Sequence, residues 1–149
     1  MGLDMYLTGD KFRARWAKEY KAKMIDGFEL ESERLRIGSW RKHPDLHGLV
    51  VNTFAGGRDD CREIEIRLAG VEKLLSLIEA DQYCAGTTGF FFGASYQIGE
   101  SDEHGSYEAQ KAYDLAIFNK ARDWLRKYEK EYAKPRGPYW CSLIYKASW

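Results

Sequence analysis

Apolar residues recur along the chain with two periods, every second residue in short bursts and every third or fourth in longer ones, and these periods divide it into elements. Residues 2–7 predict a first strand, with Leu3, Met5 and Leu7 toward the core and Asp4 and Tyr6 on the other face. Gly9 and Asp10 read as its end, and Asp10 as the cap of a helix striped by Phe12, Trp16, Tyr20 and Met24 and closed by Gly27. The phase of alternation slips between Phe28/Leu30 and Leu35/Ile37, which predicts a turn or bulge at Glu31, Ser32 and Glu33 and a strand over 34–40. Pro44 suits a first helical turn, Leu46, Leu49, Val50 and Phe54 follow helical spacing, and Gly56 and Gly57 stop the helix.

Arg62 to Arg67 alternates around Ile64 and Ile66 and predicts a half-exposed strand. Val71, Leu74, Leu75 and Ile78 form the buried face of the next helix. Gly86 to Gly89 reads as a small-residue connection. Phe90, Phe91 and Phe92 open a predicted strand over 90–96 that is buried on both faces. The longest helix is expected over 107–133, with the stripe Tyr113, Ile117, Ala121, Trp124 and Tyr128, widened by Leu115, Phe118 and Leu125, and a stop at Pro135, Gly137 and Pro138. A last strand over 139–149 places Cys141, Leu143 and Tyr145 on one face. Together these predict one α+β domain spanning 1–149, a single mixed or mainly antiparallel sheet of about five strands packed with about four helices. The strands over 90–96 and 139–149 are expected near its middle.

Composition narrows the function classes. Twenty-three basic residues balance 23 acidic ones, which argues against a general nucleic-acid binder and favours a homo-oligomer, since zero net charge gives little protection against self-association. Five Trp, ten Tyr and seven Phe imply a strong core or a sticky surface. Cys61, Cys84 and Cys141 are widely spaced, so neither a disulfide framework nor a zinc ribbon is expected. The start of the chain lacks the basic and apolar regions of a signal peptide, and no apolar run approaches the roughly 18 residues of a membrane span. The expectation is a cytoplasmic protein with no membrane partner.

Several segments taken together carry a resemblance: the opening Gly2-Leu3-Asp4-Met5-Tyr6-Leu7, Trp40-Arg41-Lys42 with Leu46-His47-Gly48, Gly56-Gly57 followed by Asp59-Asp60-Cys61, Gly89-Phe90-Phe91-Phe92-Gly93, and Ser148-Trp149. As a set they resemble a family of small, uncharacterised proteins of bacteriophages and bacteria. The resemblance covers most of the chain, with 11–33 looking like a variable insert. Some members are labelled phosphoglycerate kinase. This chain is far shorter than a two-domain kinase and has no glycine-rich loop ending in Gly-Lys-Ser or Gly-Lys-Thr, so the label brings no reaction. What the resemblance implies is a phage accessory protein, acting in the cytoplasm of a bacterial host on host machinery or host defence.

Two constellations carry candidate chemistry. His47, Asp60 and Cys61 are the ingredients of an activated thiol, and thus of a small hydrolase or transferase. The simpler reading makes Asp59 and Asp60 turn formers and Cys61 a small buried hydrophobe. Trp40, Arg41, Lys42 and His43 precede a helix start, where backbone N–H groups, cations and a stacking face suit a small anionic, nucleotide-like ligand. A basic helix start with Trp40 in the core explains the same residues equally well. Asp4 and Tyr6, on the outward face of the first strand, extend the candidate ligand-binding set to Asp4, Tyr6, Trp40, Arg41, Lys42, His47, Asp59 and Asp60, with Arg41 as the expected partner of Asp4. The acidic pair with His47, or Asp102, Glu103 and His104, lacks a full ligand set, so no metal site and no cofactor are expected. Three functions follow in order: a non-enzymatic binder of a small anionic ligand, a protein–protein inhibitor or adaptor of a host factor, and a hydrolase or transferase.

Overall fold

The computed structural model describes residues 2–18, 20–85, 89–132 and 139–149. The 86–88 connection and the stop at Pro135, Gly137 and Pro138 lie outside them. The order of elements is β1 (Asp4–Arg13), β2 (Met24–Ile25), β3 (Phe28–Glu29), β4 (Ser32–Arg41), α1 (Pro44–Phe54), β5 (Ile64–Ile66), α2 (Leu68–Glu79), α3 (Tyr107–Tyr132) and β6 (Tyr139–Ser148). Four strands form an antiparallel sheet in the order β4-β1-β6-β5, and β2 and β3 form a separate hairpin. The fold is α+β, and the described residues form three helices in place of four, and a four-stranded sheet with a separate two-stranded one in place of a single sheet of about five strands. The aromatic C-terminal strand does lie inside the sheet, between β1 and β5.

The core forms where helix and sheet periods meet. Leu3, Met5 and Leu7 at the start of the chain, Leu143, Tyr145 and Ala147 of β6, and Ile64 and Ile66 of β5 share one cluster with Leu46, Leu49 and Val50 of α1, Leu74 and Ile78 of α2, and Ile117, Phe118 and Ala121 of α3. Even-numbered residues of β1 point to the opposite face, where Asp10 takes both nitrogens of an Arg34 fork at 2.8 Å and Phe12 lies across from Trp140. The alternation over 2–7 and 139–149 is thus real. It follows from a sheet covered by helices on one face only.

Two predicted elements are corrected. No helix follows Asp10: β1 runs on to Arg13, paired on both sides by β4 and β6. Gly9 is a packing residue, because a Cβ there would stand 2.8 Å from the Trp124 ring. Asp10 is a sheet residue tied to Arg34. The i, i+4 spacing of Phe12, Trp16, Tyr20 and Met24 marks no buried stripe, since all but Tyr20 are exposed. The register slip lies farther along than predicted, at Ile37, where Leu7 faces Gly38 but Thr8 faces Arg36.

The buried strand over 90–96 is also absent. Phe90 is 91 % exposed, and Gly89 and Gly93 take positive φ values of 151° and 72° that interrupt an extended run. The segment still docks on the core. The Leu3 N–H donates to Phe91 O at 3.2 Å, and Phe92 packs on Trp149 with ring centroids 5.7 Å apart.

Candidate functional site

The polar heart of the molecule is a residue that the sequence reading passed over. Asp114 stands on α3 in line with Ile117, Phe118, Ala121 and Leu125, and is 0 % exposed. A buried carboxylate needs donors, and three converge on it. The Trp40 indole N–H donates to Oδ1 at 2.8 Å, the Tyr83 hydroxyl donates to Oδ2 at 2.5 Å, and His43 Nε2 meets Oδ2 at 2.8 Å. The other ring nitrogen of His43 lies 2.7 Å from Ser95 Oγ, which accepts the Asp45 N–H at 3.0 Å. The donor and acceptor roles on this ring follow its tautomer: where Nε2–H donates to Asp114, Nδ1 accepts from the Ser95 hydroxyl. Burial first, and then the charge and hydrogen bond of Asp114, push the Tyr83 hydroxyl well above its ordinary pKa.

Serine, histidine and aspartate in a hydrogen-bonded row are the parts of a nucleophilic triad. Here they are the parts of a clamp. Ser95 is 6 % exposed, and its acceptor capacity goes to a backbone N–H at the start of α1. That helix has no side-chain cap of its own, so Ser95 supplies one from a distant loop. The network thereby ties the end of β4, the start of α1, the 89–97 loop and α3 to one point.

One turn farther along α1, His47 has its own pair of partners. Nε2 meets Asp59 Oδ1 at 2.9 Å and Nδ1 meets Tyr145 Oη at 2.7 Å. Trp149 packs edge-on to the ring at 5.6 Å. The carboxylate beside His47 is therefore Asp59. Asp60 pairs with Arg62, whose hydrogen bond holds its carboxyl below the usual range. Cys61 is exposed on a backbone with φ 57°. His47, Asp59, Asp60 and Cys61 all border one cavity of about 10 Å³, room for a single water at most. With both ring nitrogens engaged, His47 has no lone pair free to take a thiol proton.

Trp40, Arg41 and His43 meet differently. They line a cleft of about 310 Å³ at the outer side of β4, closed by Tyr96, His104 and Tyr113. Trp40 is 7 % exposed and forms its floor. The Tyr113 hydroxyl donates to Ser39 O at 2.9 Å, which stands its ring edge-on to Trp40. Arg41 is exposed and, among the described residues, forms a loose 3.6 Å pair to Asp4, the partner expected of it. Lys42 is outside the cleft. It takes φ 54°, donates its N–H to Leu3 O, and lies over Gly93. Tyr6 sits on the opposite sheet face under the Arg36 guanidinium. The candidate ligand set therefore divides: Trp40 and Arg41 line the cleft, Asp4 touches it through Arg41, and Tyr6, Lys42, His47, Asp59 and Asp60 are elsewhere.

Asp102 closes its own loop, accepting from the Tyr96 hydroxyl at 2.8 Å and from the N–H groups of His104 and Gly105, and these bonds hold its carboxyl below the usual range. Among the described residues no group of three or more His, Cys, Asp and Glu side chains is placed to hold a metal ion, and no helix is long and apolar enough to cross a membrane. No family model, curated protein or solved structure matches the chain. Ser95 and Tyr83 carried no signal in the sequence, and Tyr113, read there as part of the buried stripe of the long helix, is 47 % exposed and faces the cleft. Asp114 did carry one, as a carboxylate in phase with an apolar helical stripe.

Proposed function

We propose that the protein is a non-enzymatic binding protein that holds a small anionic, nucleotide-like ligand in the cleft beside β4. One observation supports this above the rest: the cleft combines an exposed guanidinium, Arg41, loosely paired with Asp4, with a half-exposed aromatic ring, Tyr113, over a floor made rigid by the Asp114 network. A cation and a stacking face on a preorganised base suit a phosphate joined to a planar group. At about 310 Å³ the volume lies at the small end of ligand pockets, which favours one nucleotide-sized molecule. In the setting that the resemblance implies, such a binder sequesters a nucleotide-like signal of the bacterial host and so interferes with host defence.

Calorimetry of the full chain against nucleoside mono-, di- and cyclic phosphates tests this reading. Binding of at least one of them is expected, weakened about 10- to 100-fold in Arg41→Ala and also weakened in Tyr113→Ala, with thermal stability little changed. Absence of binding across the panel, or binding indifferent to Arg41, refutes it.

A further inference from the structure

The arm between β1 and β4 holds its shape by polar contacts while displaying its large apolar side chains. Asp26 and Gly27, at φ 52° and 81°, turn the β2–β3 hairpin. Arg15 pairs with Glu29 at 3.0 Å, Tyr20 hydrogen-bonds the same carboxylate, and Arg13 donates to Lys21 O at 2.6 Å. Ala14 and Ala17 are the buried apolar residues of the arm, whereas Trp16 is 70 % and Phe28 76 % exposed. Ile25 faces Phe28 across the hairpin, so the two share one side of it. An ordered surface that presents such residues is a docking surface.

Its charges indicate what docks. Residues 13–23 carry five basic side chains and one acidic; residues 26–33 carry four acidic and none basic. Arg15 is matched within the arm, to Glu29, and Lys23 to Glu33 at the start of β4. Lys18 and Lys21 on one limb, and Asp26 and Glu31 on the other, are exposed and form no ion pair among the described residues. An acidic hairpin tip disfavours a phosphate backbone or an anionic membrane. A surface with one positive and one negative limb complements itself when rotated by a two-fold axis. We propose that the arm joins two copies of this chain, the Lys18/Lys21 limb of one against the Asp26/Glu31 limb of the other, with Trp16 and Phe28 buried between them.

The test is an exchange of charges on the full-length protein, read by sedimentation equilibrium. The wild type is expected to dimerise. The pair K18E/K21E makes the four exposed positions 18, 21, 26 and 31 all acidic, and D26K/E31K makes them all basic, so each variant alone should associate about a hundredfold more weakly. An equimolar mixture of the two should recover a dimer, because every facing limb is then of opposite sign. Circular dichroism confirms that each variant is folded. A wild type that stays monomeric, variants that dimerise as well as the wild type, or a mixture that fails to associate overturns the proposal. Capture of some other protein by a monomeric chain counts among the overturning results.

Discussion

His43 and His47 stand one helical turn apart at the start of α1, and each spends both ring nitrogens on partners from distant parts of the chain, but the two centres are built for different depths. His43 meets a carboxylate with no exposure at all, one that three donors share. His47 meets Asp59, whose side chain is partly open to water. A carboxylate cut off from solvent makes every donor around it indispensable, whereas one at the rim is stabilised by water as well. The first centre therefore holds the architecture of the cleft floor. The second ties the first turn of α1 to β6 and to the loop that follows the helix.

The sharpest way to break this comparison is to remove Asp114. Asp114→Ala leaves the Trp40 N–H and His43 buried, and the Tyr83 hydroxyl half-buried, without their acceptor. It should lower stability by about 3–5 kcal/mol in urea titrations. A loss no larger than that at the second centre would show that water replaces the carboxylate. At that second centre, Tyr145→Phe leaves His47 Nδ1 without its donor in a buried site, and about 1–3 kcal/mol should be lost. Asp59→Asn, nearer the rim and still able to accept from Nε2–H, should fall below about 1 kcal/mol.

Alkali separates the centres from solvent without mutation. Burial raises the hydroxyl pKa of both Tyr83 and Tyr145, with Asp114 adding to the first and Asp59 to the second. A tyrosine raised in the folded state stays protonated where the unfolded chain ionises. Its contribution is complete below the ordinary value of 10.0 and drains away as pH rises above it. Ultraviolet titration should show both hydroxyls ionising only as the protein unfolds in alkali. A Tyr145 that titrates in the folded protein near its ordinary value would place the second centre in contact with solvent.

How much was legible in the sequence follows from range. The helices α1, α2 and α3 could be read because their buried stripes are local, repeated every three or four residues. The alternation of β6 could be read because one sheet face is covered and the other is not. Arg41 was legible as a partner of Asp4 by charge alone. The helix expected after Asp10 failed because spacing shows which residues align on a helix, not whether anything covers them. The strand expected over 90–96 failed because apolar residues signal burial only when a neighbouring strand or helix has room for them.

The sequence by itself therefore determined the α+β class, the three main helices and the central place of the aromatic C-terminal strand, since each rests on a periodicity within one segment. Tertiary structure alone decided the rest. Trp124 closing on Gly9, and Arg34 reaching Asp10, carried β1 through a pair of residues that read as a break. Asp114 drew Trp40, His43 and Tyr83 onto one carboxylate from 31 to 74 residues away. The physical reason is the same in each case: a buried polar group or a missing Cβ takes its meaning from the atom that meets it, and that atom lies on another part of the chain.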